Sequence, residues 1–189
     1  MLRTTAVLMI CLLHNFWALG MEKSIPLADF SQPRTVSEWQ NINDGVMGGV
    51  SDGRFRLTGN KSMEFYGTLS LENNGGFASV RTKPKNLDLQ KGDVLLIRVK
   101  GDGREYSLNL YSTKPLVAFS YRVPLVTQKD VSMELKFSLD KFTATSFGRV
   151  VPNAQPIEPS EINGIGFLLG DKKAGPFRLE IESISILRD

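Results

Sequence analysis

Cysteine and histidine are nearly missing from this chain of 189 residues, which has one of each, Cys11 and His14. Both sit in the first 20 residues, a stretch with a single charge, Arg3, and an apolar run from Ala6 to Leu13 that resumes at Phe16. That stretch reads as a signal peptide, with the small residues Ala18 and Gly20 placed for a cut ahead of Met21. The expected product is a single domain over residues 21–189, exported to a periplasm or secreted; a start at Met21 would instead give a cytoplasmic protein. The 169 residues left when 20 are taken from 189 have neither imidazole nor thiol. This excludes a histidine base, a cysteine nucleophile, a Cys/His zinc site and a disulfide. No cofactor is implied, and any chemistry falls to carboxylates, lysine, tyrosine or hydroxyls.

An excess of one charge is also lacking. The chain has 23 basic and 20 acidic residues, a net of +3 that falls to +2 without Arg3. The nearest approaches to a basic cluster, Lys83 with Lys85 and Lys172 with Lys173, lie in Pro- or Gly-marked turns. Nucleic acid is therefore not an expected partner. The longest apolar run is too short to span a bilayer, so no transmembrane span is expected in the mature chain. The phosphate-loop and dinucleotide-loop glycine patterns are absent, as is EF-hand spacing, although oxygen ligands in a loop keep calcium open. Trp39 is the sole tryptophan after residue 20, a thin supply for stacking sugars.

Helical spacing is the last thing missing, for no stretch of a dozen residues sustains it. What is present is alternation with a period of two, and the fold class is all-β. Val131, Met133, Leu135 and Phe137 share one face, as do Val117, Phe119, Tyr121 and Val123. Tyr106, Leu108 and Leu110 do the same, with Glu105, Ser107 and Asn109 toward water. The apolar runs Val94–Val99 and Ile165–Leu169 predict strands covered on both faces. Phe55–Leu57, Met63–Leu69 and Phe77–Thr82 predict further strands, and Phe177–Leu187 a last one whose parity slips near Glu182 and Ser183, the mark of a bulge. Nine strands separated by turns predict a sandwich. Residues 139–163, with Pro152, Pro156 and Pro159, predict a crossing between sheets.

Two glycine-rich segments are the candidate binding loops. The first runs Asn43-Asp44-Gly45-Val46-Met47-Gly48-Gly49-Val50-Ser51 and the second Asn73-Asn74-Gly75-Gly76. One reading has Asp44 capping a tight turn, Gly48 and Gly49 admitting close backbones and Met47 in the core; the other makes the segment an exposed recognition loop. Arg81 and Arg104 lie near motif acids, which predicts charge-assisted pairs such as Arg81 with Asp44 or with Asp102. Tyr106 is expected in the core. A hydrolase would need two facing carboxylates, with Asp44, Glu64, Glu72 and Asp102 as candidates. Asn60-Lys61-Ser62 fits a glycosylation sequon.

These blocks resemble the complex I intermediate-associated protein 30 family. The resemblance rests on Trp39, the 43–51 segment, Phe65-Tyr66-Gly67, the run Glu72 to Arg81, Gly101-Asp102-Gly103-Arg104 with Tyr106, and Gly175-Pro176-Phe177 with Leu179-Glu180-Ile181. It implies a galactose-binding-like jelly-roll β-sandwich without catalysis, an assembly factor whose partners are protein subunits of the membrane arm of respiratory NADH:ubiquinone oxidoreductase. Carbohydrate is the rival ligand, since jelly rolls of this type often bind sugars at loop tips. Phe147-Gly148-Arg149 departs from the family's pattern, which has Arg-Gly-Arg there. The signal peptide also conflicts with the matrix-side role of the mitochondrial members, and an exported copy would serve another client.

Overall fold

A computed structural model describes residues 23–113 and 119–188, so the leader, Val117 and Ala118 lie outside the described residues. Each alternating run becomes a strand, because burying one face of a pleat leaves the other for water. The strands are β1 (Lys23–Pro26), β2 (Trp39–Asn41), β3 (Asp52–Leu57), β4 (Met63–Leu69), β5 (Ala78–Thr82), β6 (Val94–Gly101) and β7 (Glu105–Ser112). They continue as β8 (Phe119–Val126), β9 (Ser132–Ser138), β10 (Thr143–Ser146), β11 (Arg149–Val150), β12 (Ile162–Leu169) and β13 (Gly175–Arg188). One sheet has the order β3-β4-β13-β6-β9, with β1 also on β13, and the other the order β11-β10-β8-β7-β12-β5-β2. The two sheets face each other as a β-sandwich of the galactose-binding-like jelly-roll type.

The core lies between them. Met63, Phe65 and Leu69 of β4, Leu95, Ile97 and Val99 of β6, and Leu179, Ile181, Ile184 and Ile186 of β13 meet Tyr106, Leu108, Leu110, Ile165, Phe167 and Leu169 from the second sheet. Phe65 and Phe177 pack edge to face with centroids 4.8 Å apart. The predicted parity slip is present: β13 changes register against β6 between Ile181 and Ser183, which returns Ile184 and Ile186 to the inner face.

Several expectations need correction. Val94–Val99 is not covered on both faces. Leu95, Ile97 and Val99 are buried while Arg98 is exposed and Val94 and Leu96 are half-buried, so this sheet's outer face meets water. Asn109, expected toward water, is 1% exposed. The 139–163 stretch does carry the chain from one sheet to the other, but it also contains β10 and β11, whose residues lack apolar alternation. β1 and β2 were likewise not predicted, being short. The strand expected from Phe77 begins at Ala78.

Candidate functional site

The two glycine-rich loops meet around one buried carboxylate. Asp44 opens a single 3-10 turn, Asp44–Met47, between β2 and β3, and is 1% exposed. Its Oδ1 accepts the Ser51 backbone N–H at 2.9 Å. Its Oδ2 accepts the Ser51 hydroxyl at 2.6 Å, the Gly76 N–H at 2.6 Å and the Phe77 N–H at 3.3 Å. Ser51 Oγ in turn accepts the Ser70 N–H at 3.0 Å, which ties the start of the second loop to the same anion. Burial pushes this carboxyl up, but the donors from Ser51, Gly76 and Phe77 outweigh it and hold Asp44 below the usual carboxylate range.

The glycines follow from that arrangement. Gly48 closes the turn with φ 90° and ψ 0°, a left-handed conformation that strains any side chain. A Cβ on Gly49 would lie 2.4 Å from Asp44 Cγ, and one on Gly75 2.5 Å from Asp44 Oδ2. Asn73 and Asn74, with φ 54° and 58°, take the left-handed region on the exposed tip of the second loop. Asn43 donates its Nδ2 to the Gly53 carbonyl at 2.9 Å, fixing the approach from β2.

Met47 is not core. It is 58% exposed, and Val46, Val50 and Leu71 are exposed by 73%, 52% and 45%. The N–H groups of Gly48 and Gly49 turn back onto the Asp44 carbonyl, so the turn closes on its own backbone and leaves Val46 and Met47 exposed. The result is an apolar crown on two loops joined through one carboxylate.

The remaining candidates do not join this site. Arg81 pairs with neither Asp44 nor Asp102; its guanidinium lies over the Tyr111 ring, 4.7 Å from the centroid. Arg104 makes a bidentate pair with Asp171, Nε to Oδ2 at 3.0 Å and Nη2 to Oδ1 at 2.6 Å, and donates Nη1 to the Pro176 carbonyl at 3.1 Å. Asp102 accepts the Tyr106 hydroxyl at 3.1 Å and the Arg178 N–H at 2.8 Å. Burial, reinforced by the Asp102 charge, pushes the Tyr106 hydroxyl well above its usual value, while the Asp171 hydrogen bonds raise Arg104. These groups clamp the 171–176 turn onto β7. Of the other carboxylates weighed for hydrolysis, Glu64 accepts Arg56 Nε at 2.6 Å and Glu72 stands exposed. Trp39 is buried against Phe30 and offers no free ring. Sequence reasoning missed Ser70 and Asp171; Asp171 stood in a recognised turn, but its partner is 67 residues away.

Two facing sheets whose loops carry the candidate site define a β-sandwich. Among solved structures it is similar to the family 11 carbohydrate-binding module from Clostridium thermocellum in complex with a mixed-linked tetrasaccharide. The TM-score is 0.66 at 15% identity, covering 87% of this chain and 95% of that one. A family 30 carbohydrate-binding module gives a TM-score of 0.53 at 12% identity, covering 88% and 99%. At such identities the likeness is one of fold. The sequence pattern of the complex I intermediate-associated protein 30 family matches residues 28–181, and the chain belongs to that family.

Two relatives bear the name complex I intermediate-associated protein 30, mitochondrial. That of Mus musculus is 28% identical over 89% of this chain and 58% of its own length. That of Drosophila melanogaster is 26% identical over 85% and 62%. The chain thus spans about three-fifths of the length of these two relatives. Because these relatives are mitochondrial proteins, the expectation of export by a signal peptide is overturned. Among the described residues, no helix is long and apolar enough to cross a membrane.

Proposed function

We propose that this chain is a non-catalytic assembly factor that holds a membrane-associated intermediate of complex I, and that the crown of Val46, Met47, Val50 and Leu71 is its grip. The single observation that carries the reading is the family match over residues 28–181, whose named relatives are complex I intermediate-associated proteins. The crown supports it physically. Exposed valine and methionine cost solubility unless a partner covers them, and loops already fixed by Asp44 lose little further freedom on binding. Of the carboxylates weighed for hydrolysis, Asp44 is saturated by backbone and serine donors and Glu64 is paired with Arg56, which favours holding over turnover.

The test is a tagged chain captured from detergent extract, with membrane-arm subunits of complex I identified by mass spectrometry. Val46→Ser with Met47→Ser should leave the melting temperature within about 2 °C, since both side chains are exposed, and should remove those subunits from the capture. Undiminished capture by the double variant would refute the crown. Retention of the unmodified chain on mixed-linkage glucan, with no complex I subunit captured, would replace the assembly reading by a carbohydrate one.

A further inference from the structure

The outer face of the seven-stranded sheet carries an arginine with no counter-charge among the described residues. Arg122 of β8 faces outward beside Asn109 of β7, its register partner. It is half-buried and makes no side-chain hydrogen bond or ion pair among the described residues, and its Nε is buried without a partner. Desolvation lowers the affinity of this guanidinium for its proton, as expected of a charge whose water has been removed and not replaced. Asn109, 1% exposed, donates Nδ2 to the Tyr111 hydroxyl at 3.3 Å and leaves its Oδ1 unpartnered. Two unsatisfied buried polar atoms on adjacent residues of one face are unusual in a finished interior.

The surroundings give that face its sign and its shape. Across the sheet in the same row stand Gly166 of β12 and Arg81 of β5, so Arg81 and Arg122 sit three strand spacings apart, about 14 Å. Gly166 and Gly164 put no side chains between them, and Arg81 lies across the gap onto Tyr111. An open cleft of about 350 Å³ adjoins this row, lined by Arg122, Ser107, Leu168, Glu105, Lys172 and Lys173 among others. Asp171 also reaches the cleft, but Arg104 already neutralises it. Among the described residues that line the cleft, Glu105 is the acid left to oppose Arg122, Lys172 and Lys173.

We infer that this face binds an acidic segment of polypeptide, with a side-chain carboxylate accepting hydrogen bonds from the Arg122 guanidinium and a backbone N–H donated to Asn109 Oδ1. An extended peptide supplies both partners at neighbouring positions and spans the distance to Arg81. A neutral glycan supplies hydroxyls but not the negative charge, and the Tyr111 ring it would stack on is occupied by Arg81. The inference goes beyond the assembly reading, because the binding is measured with a peptide and needs no complex I subunit.

The experiment titrates the purified full chain into a fluorescein-labelled peptide of alternating glutamate and serine and follows anisotropy. A lysine–serine peptide and mixed-linkage glucan serve as the comparison ligands. Arg122→Met should weaken the acidic peptide about tenfold or more while raising the melting temperature, because an uncompensated half-buried charge is removed. Asn109→Asp supplies an internal carboxylate to Arg122 and should block the peptide by the same factor, which covers the case of a poorly folding methionine variant. Lys172→Ser with Lys173→Ser should chiefly flatten the salt dependence. Equal affinity in the chain and in either of the first two variants would overturn the inference, as would no binding of the acidic peptide at low salt or a preference for the glucan.

Discussion

At the scale of single residues, Asp44 shows how burial can be turned to use. A carboxylate this deep is tolerated because four donors reach it, and removing it strands them. Asp44→Ala should cost about 3 kcal/mol or more, since the N–H groups of Ser51, Gly76 and Phe77 lose their acceptor inside the protein. Asp44→Asn should do little better, because its amide nitrogen points a donor at donors. Urea unfolding of both variants checks this, and a loss below about 1 kcal/mol would mean that water replaces the carboxylate. The Asp-Gly step and the paired glycines made this residue stand out in the sequence. The exposure of Met47 did not, because a 3-10 turn ended by a left-handed glycine has no periodicity from which a facing direction can be read. The Arg104–Asp171 pair was hidden for another reason: it depends on two turns brought together only by the sheets.

Among the elements, β13 does most to set the architecture, pairing with β1, β4 and β6 over 14 residues. Its bulge lets one strand serve two registers. Deleting Glu182 removes the extra residue and leaves Ile181, Ile184 and Ile186 in strict alternation, so the strand should straighten with Ile184 and Ile186, now 0% and 1% exposed, still inward. Ile184→Ala should by contrast cost about 2–5 kcal/mol, read as a large fall in melting temperature by circular dichroism. A fall as large on deleting Glu182 would show that the bulge, and not only the isoleucines it places, holds the sheet. This bulge was legible because isoleucine and leucine mark the inner face so consistently. β10 was not legible: Thr143, Ala144, Thr145 and Ser146 show no apolar alternation, and their strand is made by pairing with β8, where the Ser120 and Thr145 hydroxyls lie 3.3 Å apart.

For the whole molecule, pH is the broadest probe. Burial raises Asp44 and Asp171, but their donors win and hold both carboxyls low; Asp93 is lowered chiefly by its hydrogen bonds with Arg188. Each therefore contributes stability that is complete above the unfolded carboxylate value of about 4 and is lost as pH falls through the lower folded values. Tyr106 is shifted the opposite way, so its contribution is present below about pH 10 and lost above it. The melting temperature should be flat between about pH 5 and 9 and fall on both sides, and Asp44→Asn should have a shallower acid limb. A titration that is flat down to about pH 2 would contradict the hydrogen-bonded carboxylates. The fold class was readable from alternation alone and the family from its glycine-rich blocks, whereas the compartment was misread from an apolar leader.

One consequence follows from where Asp44 stands. It leaves β2 of the seven-stranded sheet and binds Ser51, which leads into β3 of the six-stranded sheet, while Gly76 and Phe77 lead back into β5. The crown therefore takes shape only once the two halves of the sandwich have closed on each other. On the assembly reading proposed above, a newly made or damaged copy would have no grip to offer, so a client would meet only a finished holder.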